Sequence, residues 1–281
     1  MSERNYFDIP RNIFGESPDI LFQDWNPADE SVVILSPHDD DAVIGAGYMI
    51  DMLLHANIPV KIIIFCKGDA GYSVAGLRDV IVDTRKEETL LAYSHLGMAA
   101  EDIVMLDKPD FGLRRHVAWD GVGHENGLFG EMIRLLRKFK TTRLFIANGN
   151  REHIDHTAVY EIGLYHGIQS SDPILADFGL PVKLRSVHVY SVWADFSPED
   201  ALVAGRSTDL RANMGMVVDK IVEEHINESI RFYVSQGQII ENLIRMRASK
   251  QSKKGWVELY QLINPRPRLP YAPYVSWVDD H

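Results

Sequence analysis

Residues 32–41 read VVILSPHDDD, an apolar run that ends in one histidine and three aspartates. The first four residues have the length and composition of a buried strand, and Ala42 to His55 has the periodicity of a helix. An imidazole and three carboxylates this close together repel one another unless a cation or protons relieve the crowding. The stretch therefore predicts a divalent metal site at the end of a strand. The alternative is simple capping of the following helix by the aspartates.

A second polar cluster follows another apolar run, Arg143 to Ala147. It places His153, Asp155 and His156 at the start of an amphipathic pattern that continues to Ile168. Ligands of open α/β sheets bind where the carboxyl ends of the strands meet, so we expect the two clusters to lie together. The alternative is that Asp155 caps a helix beside two solvated histidines.

The first half of the chain alternates apolar runs with helical patterns. The candidate strands are Val32 to Leu35, Val60 to Cys66, Ile103 to Leu106, Arg143 to Ala147 and Ser186 to Val192. The candidate helices are about Ala42 to His55, Arg78 to Leu96, Gly127 to Phe139 and Asp155 to Ile168. This alternation predicts an α/β protein with a three-layer α/β/α Rossmann-like fold and a mainly parallel central sheet. A dinucleotide fingerprint is absent, so we expect Gly45 and Gly47 to allow close packing of helix and sheet instead.

Residues 1–281 are expected to form a single domain with a core from about 30 to 195. From about 197 to 281 we expect a helical C-terminal extension, which includes a long helical region from Asn213 to Ser249, and an aromatic tail. The aromatic residues would either cover a cleft or a subunit face, or pack in the core. If they cover a subunit face, the protein would form a homo-oligomer. They are Trp256, Tyr260, Tyr271, Tyr274 and Trp277.

The composition excludes several classes of protein. A net charge of -11 argues against a nucleic-acid partner, because binding to phosphate backbones depends on cationic surface. No apolar stretch approaches the roughly 20 residues that span a bilayer. No signal-peptide arrangement opens the sequence, so a cytoplasmic location is expected. The single cysteine, Cys66, lies in a strand pattern and is expected to be a buried, small apolar residue.

Five segments in order resemble the PIG-L/LmbE-like family of zinc-dependent N-acetylglucosaminyl deacetylases. They are Pro37 to Ala42, Gly68 to Gly71, Arg85 to Gly97, Pro109 to Leu113 and His153 to His156, with a weaker echo at Tyr233 to Gln236. The resemblance implies a hydrolase that removes the N-acetyl group from an N-acetylglucosamine-type amino sugar or its conjugate. Such a substrate is a small molecule.

The resemblance also implies a metal. It makes His38, Asp41 and His156 the ligands of Zn²⁺, and a site with three protein ligands leaves coordination open for water and substrate. Iron, cobalt or manganese also suit nitrogen and oxygen ligands of this kind.

Catalytic roles follow from the same resemblance. Asp40 would be the general base that activates a zinc-bound water, and His153 would protonate the departing amine or stabilise the oxyanion. Asp155 would orient His153.

Arg85, Asp110 and Arg151 are expected to contact the substrate. Without the resemblance, Arg85 would pair with a nearby glutamate, Asp110 would cap a turn, and Arg151 would pair with Glu152. Other positions depart from the family pattern, since Asp39 and Ile154 replace prolines and Ala42 replaces a glutamate. Two further hypotheses therefore stay open, a catalytically silent carbohydrate- or metal-binding protein and a zinc amidase for a non-sugar N-acyl substrate.

Overall fold

The computed structural model describes residues 4–119, 127–197, 210–264 and 266–281. In these residues ten strands form one mixed sheet. The strands are β1 (Arg4–Asp8), β2 (Ile13–Gly15), β3 (Val32–Ser36), β4 (Val60–Cys66), β5 (Ile103–Lys108), β6 (Arg143–Ala147), β7 (Ser186–Tyr190), β8 (Met214–Val218), β9 (Gln251–Ser252) and β10 (Gly255–Ile263). Their order across the sheet is β2-β1-β8-β10-β7-β6-β3-β4-β5, and β9 pairs with β10.

The α-helices of the described residues cover both faces of this sheet, except for the last one. They are α1 (Asp41–His55), α2 (Ile81–His95), α3 (Leu128–Lys138), α4 (Ile154–Glu161), α5 (Lys220–Ile230), α6 (Gly237–Arg247) and α7 (Tyr271–Asp279). One core lies between the sheet and α1, α2, α5 and α6, and a second core lies between the sheet and α3 and α4. The predicted three-layer α/β fold is confirmed.

Strand β3 shows why the centre of the sheet forms as it does. It pairs in parallel with β4 and β6, and every one of its residues is buried. Val32 and Ile34 belong to one core, while Val33 and Leu35 belong to the other. A strand that is buried on both faces reads as a continuous apolar run, which is what residues 32–35 show.

The parallel strands β3 to β7 end at one edge of the sheet, and both polar clusters follow such strand ends. The turn after β3 leads into α1, and the turn after β6 leads into α4. The predicted helix from Asp155 to Ile168 is in fact α4 followed by a π-helical turn, Ile162–Gly167. The predicted convergence of the two clusters at the sheet edge is present.

The close packing expected of the glycines in α1 is also present. A Cβ atom on Gly45 would lie 2.5 Å from the Tyr190 ring, and one on Gly47 would lie 2.8 Å from Ile226. Neither position has room for a side chain. Cys66 is buried, as expected, and burial raises the pKa of its thiol to about 12.

The prediction of a long helical region from Asn213 to Ser249 is wrong. This segment contains strand β8 and two separate helices, and β10 follows it as the longest strand of the described sheet. Strands β8 and β10 join the parallel half to the N-terminal hairpin of β1 and β2, which the sequence patterns did not predict either. All described strands of the C-terminal region therefore belong to the same sheet as the core.

Strand β10 could not be predicted from the sequence, because it contains Glu258 and a charged residue is not expected to be buried inside a sheet. The Glu258 carboxylate accepts hydrogen bonds from the backbone amides of Tyr48 (3.1 Å) and Met49 (3.0 Å) in α1. These amides are available because α1 breaks at Ala46, where φ is -133° and ψ is 26°. The last long strand thus holds the helix that begins at Asp41. Across the described residues, no helix has the length and apolar character needed to cross a membrane.

Candidate metal centre

The structure brings together His38, Asp41 and His156, the three predicted metal ligands. Asp41 Oδ2 lies 3.1 Å from His38 Nδ1 and 3.0 Å from His156 Nε2. Asp41 also accepts the backbone N–H of His38 at 2.8 Å. The turn at the start of α1 therefore places two ligands, and the start of α4 places the third.

His156 is fully buried, and its two ring nitrogens have different surroundings. Nδ1 donates to Glu152 Oε2 at 2.7 Å, which leaves Nε2 without its proton in the neutral ring. Nε2 is buried and has no hydrogen-bond partner among the described residues, since in this tautomer both Nε2 and Asp41 Oδ2, 3.0 Å away, are acceptors. A buried lone pair with no partner costs free energy unless a cation or a proton takes it. This orphaned nitrogen fits a metal ion.

The charges around the cluster also fit a cation. Burial alone raises the pKa of Asp41, but the charge of His156 outweighs it and holds that pKa well below its usual range. Burial lowers the pKa of His156, yet Asp41 and Glu152 raise it to about 9. The pKa of His38 is likewise raised well above its usual value, because hydrogen bonds to Asp155 and Asp41 outweigh burial. The surroundings favour positive charge, which a metal ion can supply in place of protons.

Glu152 is the functional residue that sequence analysis missed. Its Oε1 accepts hydrogen bonds from the Ser191 hydroxyl at 2.8 Å and from three backbone amides, and its Oε2 orients His156. The three amides belong to Val192, Trp193 and Ala194, at 2.9–3.1 Å. The alternative pairing of Arg151 with Glu152 is wrong, since this carboxylate is buried in these contacts. The signal was the spacing, because Glu152 precedes His156 by four residues.

We expect Glu152→Gln to lower metal affinity by roughly 10- to 100-fold, the usual effect of losing a carboxylate that orients a metal-bound histidine. The measurement is competition for metal against a coloured chelator. Glu161→Gln is the matched control, because Glu161 ends the helix that carries His156 and, among the described residues, its ion pair is with Arg114 at the surface. Unchanged affinity in Glu152→Gln would remove this residue from the metal centre.

Asp155 connects His38 to the loop after β5. Its carboxylate accepts the backbone N–H of Phe111 at 2.7 Å and that of Leu113 at 3.2 Å. Oδ2 also lies 3.5 Å from His38 Nε2, on the side of that ring away from Asp41. Phe111 has a positive φ of 59°, which its hydrogen bond to Asp155 helps to hold.

His153 lies beside the predicted metal ligands, with its ring centroid 4.9 Å from that of His38. Its Nδ1 accepts the backbone N–H of Asp155 at 3.2 Å, so the proton of the neutral ring is on Nε2. Burial and the charge of His38 lower the pKa of His153. The Asp155 carboxylate is 3.5 Å from the same Nδ1. Asp155 therefore orients His153 first through its own backbone amide.

Asp40 is the N-cap residue of α1, but its side chain makes no capping hydrogen bond. The capping alternative is therefore wrong for this carboxylate, which remains available for chemistry. Burial raises its pKa to about 6, the negative charges of Asp39 and Asp41 add to the rise, and Arg85 opposes it. Arg85 Nη2 is 3.6 Å from Asp40 Oδ1.

Arg85 is buried and paired with Asp39 rather than with a glutamate on its own helix. Nε donates to Asp39 Oδ2 at 2.8 Å, Nη2 donates to Oδ1, and the Thr89 hydroxyl donates to Oδ2 at 3.0 Å. The Asp39 carbonyl oxygen accepts the Tyr233 hydroxyl at 2.7 Å. Asp39, which departs from the family pattern, thus holds Arg85 and Tyr233 in place beside the candidate site.

The other two predicted substrate residues occupy different surroundings. Asp110 accepts the backbone amides of Gly68 (2.9 Å) and Ala70 (3.0 Å), so it fixes the glycine loop after β4. Arg151 is exposed with a φ of 59°, and within the described residues no hydrogen bond or ion pair joins it to the metal cluster.

The fold and the cluster define a Rossmann-like protein with a candidate divalent metal centre at the strand ends. Residues 33–165, which span most of the parallel strands and both polar clusters, match the family model described as "PIG-L: GlcNAc-PI de-N-acetylase". This confirms the resemblance on which the site residues were predicted. A search of curated protein sequences found no match.

Solved structures show the same fold. N,N'-diacetylchitobiose deacetylase from Pyrococcus horikoshii is 16% identical, with 87% of this chain and 88% of that chain covered and a TM-score of 0.66. The 4-carboxy-2-hydroxymuconate hydratase GalB from Pseudomonas putida is 15% identical, with 86% and 100% covered and a TM-score of 0.60. The zinc-inhibited form of teicoplanin deacetylase Orf2 is 16% identical, with 83% and 98% covered and a TM-score of 0.55. This fold therefore serves deacetylation in some proteins and hydration in another.

Proposed function

We propose that this protein is a metal-dependent N-deacetylase that acts on an N-acetylated amino sugar or its conjugate. The observation that carries the proposal is the convergence of His38, Asp41 and His156 beside Asp40 and His153 at one edge of the sheet. The family match and the deacetylases among the structural neighbours support the same reaction.

His38, Asp41 and His156 would hold the metal, and their nitrogen and oxygen donors suit Zn²⁺. When bound, such an ion polarises the amide carbonyl and makes water a better nucleophile. Asp40 accepts a proton from the attacking water, whose oxygen bonds to the carbonyl carbon. The Nε2–H of His153 donates a hydrogen bond to the oxyanion that forms, and the proton held by Asp40 passes to the amine nitrogen as the carbon–nitrogen bond breaks. The products are acetate and the free amino sugar.

For substrate binding, we propose that Arg85 donates a hydrogen bond to the sugar from its remaining nitrogen, Nη1. Asp39 occupies Nε and Nη2, whereas Nη1 makes no hydrogen bond within the described residues. A Cβ atom on Gly71 would lie 2.8 Å from this Nη1, so the glycine loop leaves it open to a sugar oxygen. Asp110 would serve the substrate by holding that loop, and Arg151 would act from the exposed rim.

The decisive experiment measures acetate release from a panel of N-acetylglucosaminyl compounds. We expect turnover by the metal-loaded protein, loss of turnover after removal of metal with a chelator, and recovery on addition of Zn²⁺. Turnover that persists in fully metal-free protein would contradict the proposal. The same panel with simple N-acyl amino acids as competitors separates a sugar deacetylase from an amidase of non-sugar substrates.

A silent binding protein is the second candidate, and the altered positions Asp39 and Ala42 beside the metal ligands favour it. Calorimetry decides between the two. Binding of an amino sugar without acetate release in the same metal-loaded sample would support the silent protein and reject the enzyme.

A further inference from the structure

Helix α7 is exposed along its whole length, although it is rich in aromatic and aliphatic residues. Tyr271, Tyr274 and Trp277 are 68%, 59% and 63% exposed, and Val275 and Val278 are more than half exposed. A helix that is apolar on all sides is normally buried, and contiguous apolar patches of this kind mark interaction sites. The described residues of this chain do not cover α7.

The same chain has an apolar groove of about 630 Å³ beside the candidate metal centre, and no element of the described residues fills it. We call it the Trp193 groove. Its apolar wall is formed by Ile44, Val192, Trp193, Leu243, Met246 and Leu259. Trp193 also packs against the metal ligand His156, with ring centroids 5.0 Å apart. The groove is therefore large enough for bulky side chains and adjoins the site.

The charges of groove and helix are complementary. Lys250 lines the groove, has no carboxylate within 4.0 Å among the described residues, and lies 5.7 Å from the Tyr48 ring. Burial and the charge of Arg247 lower the pKa of Lys250 to about 8, and the carboxylates of Glu258 and Glu223 oppose this shift only in part. Helix α7 ends in Asp279 and is followed by Asp280, two exposed carboxylates. The groove therefore holds a cation whose charge is only partly offset, and the helix end has two exposed carboxylates.

We propose that α7 of one copy docks in the Trp193 groove of a second copy, which returns its own α7 to the first. The exchange gives a two-fold dimer with two identical contacts, the commonest symmetry of soluble oligomers. Each tail carries three aromatic side chains that bury about 150–250 Å² apiece. Two tails and the surfaces that they cover reach the roughly 1,200–2,000 Å² of a stable interface.

The first test is the molar mass of the full chain by light scattering after size exclusion. We expect the wild-type mass to be twice 31.9 kDa, and the variant Tyr274→Ser with Trp277→Ser to have the mass of one chain. Both positions are exposed, so the substitutions leave the fold intact. Tyr165→Ser is the control, since Tyr165 is 64% exposed outside α7, and it should remain a dimer. A monomeric wild type, or a dimeric tail variant, would overturn the proposal.

The second test addresses the groove with two variants on one helix. Met246→Glu places a charge in the groove and should give the mass of one chain, whereas Ile239→Glu, which is outside the groove, should not. The two residues are similarly exposed, at 57% and 51%, so a general effect of added charge would appear in both. If Met246→Glu remained dimeric while the tail variant became monomeric, another surface would be the partner of α7 and this assignment would be wrong.

Discussion

Asp40→Asn is expected to lower kcat for acetate release by roughly 100- to 10,000-fold, the usual contribution of a general base. Asparagine keeps the size of the side chain but cannot take a proton from water. Because Asp40 is not among the three residues that would hold the metal, the metal content should not change. The measurement pairs single-turnover acetate release with elemental analysis of the same sample.

Asp107→Asn is the control for this substitution. Asp107 makes an exposed ion pair with Lys86, which is on the helix that also carries Arg85. Replacing its carboxylate by an amide should therefore leave kcat near the wild-type value. If Asp40→Asn retained wild-type turnover, the base would have to be another group. A loss of bound metal together with turnover would instead place Asp40 among the ligands.

Asp39→Ala is expected to lower the free energy of unfolding by about 3–5 kcal/mol, the cost of leaving one partner of a buried ion pair uncompensated. Asp39 receives two hydrogen bonds from buried Arg85 and one from Thr89. Removing the carboxylate leaves the guanidinium with Asp40, at 3.6 Å, as its remaining ion-pair partner among the described residues. Urea unfolding measures the effect as a shift in the midpoint at constant slope.

Two comparisons make this prediction specific. Asp107→Asn breaks the neighbouring but exposed ion pair of Lys86, keeps a residue type that tolerates the φ of 53° at this position, and should cost less than about 1 kcal/mol. Asp39→Ala combined with Arg85→Met removes both charges and should recover much of the loss, because an apolar pair of similar volume replaces a buried ion pair well. A double variant as unstable as Asp39→Ala would show that Asp39 acts by some contact other than its pair with Arg85.

The parallel half of the sheet could be predicted because its strands are buried on both faces and therefore appear as apolar runs. Strand β4 begins and ends where the pattern predicted, at Val60 and Cys66. The antiparallel half could not, because its longest strand contains buried Glu258, whose partners are backbone amides of a helix about 210 residues away. No local pattern shows that such a charge is neutralised.

The site was predictable to a similar degree. The position of the two clusters after two strands predicted a metal site, the family resemblance assigned His38, Asp41 and His156 as its ligands, and the structure brings these three within reach of one ion. The contacts of Asp39 and Glu152 could not be predicted, because their partners are distant in sequence. Asp39 pairs with Arg85, and Glu152 accepts hydrogen bonds from the loop after β7. Asp39, which differs from the family motif, can therefore be important for stability in the folded protein.

The two oxygens of Glu152 have a thermodynamic consequence. One carboxylate both aligns the His156 imidazole and ties residues 191–194 in place, so the order of this segment and the affinity for a cation form one coupled equilibrium. Coupling of this kind is reciprocal, because each event must favour the other by the same factor. We therefore expect a molecule that binds against Trp193 and orders residues 191–194 to raise the affinity for a cation at His156. The bound cation should raise the affinity for that molecule by the same factor.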